Sequence, residues 1–168
     1  MIDFAVVGGG LIGMLTAREL ALGGASVQIL EKGELGRESS WAGGGILSPL
    51  YPWRYANAVT ELARWSQRRY PELAETLATE TGIDPEWTQN GLLMLDIVAS
   101  EERDAAVDWA VSYDYELEIL DPKATHQCEP RLGDIPGPSL WMPKVAQIRN
   151  PRLLRAMRRS LESMGVVI

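Results

Sequence analysis

Apolar positions first cluster in Ile2-Asp3-Phe4-Ala5-Val6-Val7, a run of β-formers that stops at Gly8 and predicts a short buried strand. Gly8-Gly9-Gly10-Leu11-Ile12-Gly13 follows, then Met14 to Leu22, a segment of good helix formers that Gly23-Gly24 brings to a stop. Ala25 to Leu30 predicts a second strand, with Glu31 at its end. Strand, glycine turn, helix and strand make a βαβ unit, which implies a parallel sheet with a right-handed crossover.

The pattern then changes. Residues 33–52 show no helical or strand period and predict a long loop, with hydroxyls at Ser39 and Ser40 and three glycines at Gly43-Gly44-Gly45. From Asn57 to Thr79 the apolar residues Val59, Leu62, Ala63, Tyr70, Leu73 and Leu77 share one helical stripe. Glu61, Arg64, Gln67, Arg68 and Glu75 form a solvated side, and Trp65 falls off the stripe as a candidate subunit or domain contact. Pro71 is predicted to kink or restart this helix. Gly82-Ile83-Asp84-Pro85 is turn chemistry and a domain boundary.

Beyond it, Leu92 to Leu95 and Glu116 to Leu120 predict strands. Ser100 to Tyr113 predicts a helix capped by Ser100, and Asp121-Pro122 starts a short one. Leu140 to Ile148 predicts extended chain, and Asn150-Pro151 is a second cap followed by proline. In the last helix Leu153, Leu154, Met157, Leu161 and Met164 share one face, with Arg152, Arg155, Arg158 and Arg159 opposite as a solvated face. Gly165 ends it, and Val166-Val167-Ile168 begins another strand.

Composition bounds the function. The chain has 168 residues, 46% hydrophobic and 23% charged, enough for a packed core and about one domain or one and a piece. A net charge of −7 is the wrong sign for nucleic acid. Met1-Ile2-Asp3 has no basic leader, and the apolar stretch from Phe4 to Leu15 is short and interrupted by glycine, so neither a secretory signal nor a membrane span is predicted. Cys128 is the one cysteine, so no intrachain disulfide forms and a cytoplasmic setting fits. His126 and Cys128 lack further ligands nearby, so no metal site is predicted and both take structural roles.

The chemistry lies in the spacing Gly8-x-Gly10-x-x-Gly13. Gly8 permits the tight turn out of the strand, Gly10 lets a pyrophosphate approach the backbone, and Gly13 lets the helix pack close to the sheet. The helix start then offers free N–H groups and a positive dipole end to phosphate. Glu31 stands 18 residues after Gly13. A carboxylate there accepts hydrogen bonds from ribose hydroxyls and repels a 2′-phosphate, which argues against NADP. The motif leaves both NAD and FAD open, and with them a dehydrogenase or a non-enzymatic nucleotide-binding fragment.

The segments GGGLIG, Glu31-Lys32, ESSWAGGGILSPLYPWRY and RNPRLL together resemble the D-amino acid oxidase superfamily of FAD-dependent amine oxidases, and within it the glycine oxidases of thiamine biosynthesis. The resemblance implies a Rossmann-like α/β FAD-binding domain with a parallel sheet, interrupted by the start of a mixed, largely antiparallel substrate domain. It divides the chain into FAD-binding residues 1–82, substrate-domain residues 83–148, and a return to the FAD domain at 149–168. It implies that Gly8, Gly10 and Gly13, with the backbone at Leu11 and Ile12, cradle the pyrophosphate, and that Glu31 and Lys32 lie along the adenosine. Ser39 and Ser40 match the hydroxyl pair that contacts FAD, and Gly44, Gly45 and Ile46 match the backbone against the flavin ring. The implied activity is oxidation of glycine and similar small amines by oxygen, in a cytoplasmic homo-oligomer. D-amino acid and sarcosine oxidoreductases are the sister possibilities. The family's catalytic and substrate-binding residues come from later in the chain than Ile168, so residues 1–168 alone are expected to be inactive.

Overall fold

The structure is a computed structural model that describes residues 1–97 and 99–168. Its elements run, in order, β1 (Phe4–Val7), α1 (Leu11–Leu22), β2 (Val27–Leu30), α2 (Ser39–Ala42), a 3₁₀ turn (Pro52–Arg54), α3 (Asn57–Thr81), β3 (Thr88–Gln89) and β4 (Leu92–Met94). Then follow α4 (Ser100–Tyr113), β5 (Glu118–Leu120), α5 (Pro122–Cys128), β6 (Ser139–Met142), β7 (Ala146–Gln147) and α6 (Asn150–Ser163). No helix among the described residues is long and apolar enough to cross a membrane.

The chain divides into two compact units. The first comprises Met1–Gly45, Arg69–Trp87 and Ile148–Ile168, and the second Ile46–Arg68 and Thr88–Gln147. These bounds differ from divisions at 82 and 148, because α3 passes from the second unit to the first without a break in the helix. Pro71 lies inside α3, so of the expected kink or restart the helix makes no restart there.

In the first unit β1 and β2 pair in parallel, in register from Phe4 with Val27 to Val7 with Leu30. Val167 adds to the other side of β2: Ile29 N–H donates to Val167 O at 2.8 Å, and Val167 N–H donates to Val27 O at 3.1 Å. The βαβ logic of the first thirty residues is therefore realised. β1 differs from the buried strand predicted for it, in that Phe4 and Val7 are exposed among the described residues. Met14 and Ala17 of α1 and Leu153, Leu154, Met157 and Leu161 of α6 are buried, and the two helices pack together. The apolar face predicted for α6 is thus its inner face, with Arg155, Arg158 and Arg159 exposed opposite it. Arg18, Glu80 and Ser160 join α1, α3 and α6 through side-chain hydrogen bonds.

In the second unit the antiparallel strands lie in the order β4–β6–β5, and β3 pairs antiparallel with β7. The core holds Met94, Ile97, Ala106, Trp109, Leu140 and Met142, with Trp53, Tyr113 and Tyr115 packed against it. Those aromatic residues carry polar ends that need partners. Trp109 Nε1–H donates to Thr60 Oγ1 at 3.2 Å, and the Tyr115 hydroxyl donates to the Gln67 side-chain carbonyl. The first half of α3 therefore turns polar residues inward. Thr60 is buried while Val59 and Leu62 are exposed, the reverse of the predicted stripe. Arg64 stands over the rings of Tyr113 and Tyr115 at 5.8 and 5.7 Å, so neither it nor Gln67 belongs to a solvated face. The segment 33–52, expected as a loop throughout, contains the helical turn α2.

Candidate functional site

The site is built in the first unit, where β1, β2, α1 and α2 converge. Gly8 leaves β1 with φ +102°, a conformation that side-chain-bearing residues rarely adopt, while its N–H still bonds Leu30 O at 2.9 Å. The first bond inside α1 runs from Met14 N–H to Gly10 O at 2.9 Å. The amides of Leu11, Ile12 and Gly13 precede it and point out of the helix start. Ser40 Oγ accepts from Leu11 N–H at 2.9 Å, which leaves Ile12 and Gly13 to present donors at the positive end of the helix dipole. A Cβ on Gly13 would overlap the carbonyl oxygen of Gly8, so the close helix–strand approach read from the spacing is a steric requirement here.

Glu31 closes the other side. Its carboxylate accepts from Gly9 N–H at 2.7 Å and from Gly33 N–H at 2.9 Å. The Gly9 amide first, and the Gly33 amide after it, hold the carboxyl below its ordinary value, so it is ionised at neutral pH. Each carboxylate oxygen keeps a further lone pair, enough to accept from two neighbouring hydroxyls. Lys32 pairs with Glu38 at 3.0 Å across exposed surface, and hydrogen bonding to Glu38 raises the lysine's pKa.

Two clefts meet at Glu31. One, of about 370 Å³, is lined by Gly8, Gly10, Glu31, Lys32, Ser39 and Ser40 among others. The other, of about 580 Å³, runs along Gln28 to Gly33, Leu35 and Ile168. Both sizes lie in the range of ligand sites. Of the predicted residues, six therefore line one cleft, with Leu11, Ile12 and Gly13 at the helix start beside it. Gly45 sits with φ +76° against the carbonyl of Ile148, and Gly44 has open space where a side chain would go. Ile46 belongs to the second unit.

The donor set fits a dinucleotide such as FAD. Helix-start amides and hydroxyls suit a pyrophosphate, an ionised carboxylate at the end of β2 suits a ribose, and the glycines leave the backbone open to close approach. Two residues take roles that no local pattern marks. Arg37 stacks on Trp41 at 4.1 Å and bonds Glu34 at 3.0 Å, and no pattern marked it. Asn150, expected as a helix cap, leaves the cap position to Arg149, and its amide instead donates to Ser40 O and Gly43 O at 3.0 and 2.9 Å. Ser100 likewise lies inside α4, behind Ala99, and makes no capping bond, whereas Asp121 does cap α5 through Ala124 N–H at 2.8 Å.

Glu31→Ala is expected to weaken FAD binding at least about tenfold, because it removes the carboxylate that would accept charge-assisted hydrogen bonds from a ribose. Titration of FAD into the apoprotein measures this, and unchanged affinity would remove Glu31 from the site.

Known proteins resemble the chain in sequence and in fold. A family described as FAD dependent oxidoreductase matches residues 3–168. The chain is 50% identical over 160 residues to the glycine oxidase of Pseudomonas aeruginosa, covering 95% of this chain and 43% of that one. It is 29% identical over 164 residues to the bifunctional protein ThiO/ThiG of a Nostoc species, covering 98% of this chain and 25% of that one. The crystal structure of glycine oxidase from Bacillus cereus superposes with a TM-score of 0.89 at 29% identity, covering 100% of this chain and 46% of that one. The chain spans less than half the length of the curated relatives it matches.

Proposed function

The chain belongs to the family of FAD-dependent oxidoreductases, and from that premise we propose that it carries the FAD cradle of a glycine oxidase acting in thiamine biosynthesis. The observation that carries the proposal is the cleft that brings together Gly8, Gly10, Glu31, Ser39 and Ser40 beside the start of α1, on a chain half identical to a glycine oxidase. FAD held there would supply the two-electron acceptor for oxidation of the amine carbon, with oxygen and two protons taking the electrons on as hydrogen peroxide. Glycine so oxidised gives an imine, which water converts to glyoxylate and ammonia.

The chain's own residues bind and orient. Gly8, Gly10, Gly13 and the amides of Leu11 and Ile12 surround the pyrophosphate, with Ser40 fixing Leu11. Glu31 and Lys32 take the adenosine side. Ser39 and Ser40 would contact the cofactor, and the backbone of Gly44, Gly45 and Ile46 would hold the flavin side. The substrate carboxylate needs a charged partner in a water-poor site, and we assign that partner to a part of the enzyme other than residues 1–168. We further place the enzyme in the cytoplasm as a homo-oligomer, with the amine and oxygen as its small-molecule partners, on the family resemblance.

A peroxide assay with glycine, run on residues 1–168 and on a family-length chain that contains them, tests this. Turnover is expected only from the longer chain. Turnover by residues 1–168 would move the substrate site into this part. A longer chain that rejects glycine yet oxidises sarcosine or larger D-amino acids would move the assignment to the sister enzymes.

A further inference from the structure

We propose that Asn150 is a positioning residue of the cofactor site: its side-chain amide clamps the Ser39–Gly45 segment and so sets the groups that face FAD. The proposal rests on reading the site as an FAD cradle. Asn150 opens α6, 110 residues from Ser40 in sequence. Both of its amide hydrogens are used, one on Ser40 O at 3.0 Å and one on Gly43 O at 2.9 Å. Only the NH₂ end of the side chain can face two carbonyl oxygens, so the amide's orientation is fixed by its partners.

The clamp explains the glycine beside it. A Cβ on Gly43 would come within 2.7 Å of Asn150 Nδ2, so the amide needs a residue without a side chain there. The same segment is tied at two further points. Ser40 Oγ accepts from Leu11 N–H at 2.9 Å, and Gly45 O accepts from Ile148 N–H at 2.9 Å. A chain of contacts thus runs from the start of α6 through Asn150 to α2, and through Ser40 to the start of α1. Its middle holds Ser40 and Gly44, two of the groups assigned to FAD.

A plain helix-starting asparagine would behave differently, and the difference is testable. Asn150→Asp keeps a residue favoured at a helix start, where an acidic side chain suits the dipole. It replaces the donor by a carboxylate facing two carbonyl oxygens. Asn150→Ala removes the side chain without that repulsion. Two measurements are made on the unaltered protein and both variants: hydrogen exchange of residues 39–45 without FAD, and FAD affinity by titration.

The clamp predicts that both variants speed exchange in 39–45 and raise the FAD Kd, each by about tenfold or more. The Asp variant is the worse for FAD, although α6 melts no earlier. An Asp variant with unaltered exchange and affinity would confine Asn150 to starting α6 and overturn the proposal. Failure of the unaltered protein to bind FAD would overturn the cradle reading itself, and Asn150's role toward FAD with it.

Discussion

Gly13→Ala is expected to destabilise the protein by about 3 kcal/mol or more and to abolish FAD binding. The added methyl meets the backbone carbonyl of Gly8 rather than the end of a flexible side chain. Relief requires α1 to move off β1, and overpacking that forces backbone shifts lies at the costly end of core substitutions. The same movement carries the Ile12 and Gly13 amides away from Gly8 and Glu31. Gly44→Ala is the informative contrast. Its Cβ would meet nothing within 4 Å and its backbone is not left-handed, so stability should hold or rise slightly. FAD affinity should nevertheless fall if Gly44 lies against the flavin. Chemical denaturation read beside FAD titration separates the two effects, and a Gly13→Ala protein of unaltered stability would show that the helix–strand approach is looser than described.

Glu80→Leu is expected to cost about 3 kcal/mol, because it strands a buried guanidinium. Arg18 has a side chain only 6% exposed and bonds Glu80 at 2.7 Å. Arg18 Nε–H donates to Ser160 Oγ at 3.3 Å, and that hydroxyl donates to the second Glu80 oxygen at 2.7 Å. Replacing both charged partners, in Arg18→Met with Glu80→Leu, should recover most of the loss, since no charge is then left without a partner. Burial raises the Glu80 carboxyl, but the hydroxyl of Ser160 and the guanidinium of Arg18 outweigh it and hold the group below its ordinary value of 4.5. The carboxyl therefore contributes stability above its unfolded pKa, and that contribution fades as the pH falls through the lower folded value. Urea unfolding from pH 7 into this acid window should show a steeper fade in the unaltered protein than in Glu80→Leu, which keeps only the part due to other carboxylates such as Glu31. A single variant within about 0.5 kcal/mol of the parent would show that the pair contributes no more than an exposed one.

The βαβ start of the chain was legible because each local signal agreed. The apolar run, the glycine turn, the helix formers and the second apolar run all serve one topology. Glu31 was legible from its distance to Gly13, although its bonds to the Gly9 and Gly33 amides were not. The first half of α3 misled for a physical reason. The aromatic core beside it presents an indole N–H and a phenol, so Thr60 and Gln67 face inward where an apolar stripe was expected. Caps failed where a side chain had a better partner than the helix start. Asp121 caps α5, whereas Asn150 reaches two carbonyls more than 100 residues away in sequence. No local pattern encodes such a partner. The same holds for Arg18, which sits among the good helix formers of α1 and finds Glu80 only after α3 folds.

The central claim is that the Gly8–Gly13 turn, Glu31 and the Ser39–Gly45 segment form a site for FAD rather than NAD. Equilibrium titration of FAD into the protein, repeated with NAD present in large excess, measures this directly. The structure predicts binding of one equivalent of FAD that NAD does not displace and that Gly10→Val abolishes, since a bulky side chain there fills the space of the pyrophosphate. Tight binding of NAD that excludes FAD, or FAD binding that survives Gly10→Val unaltered, would contradict it.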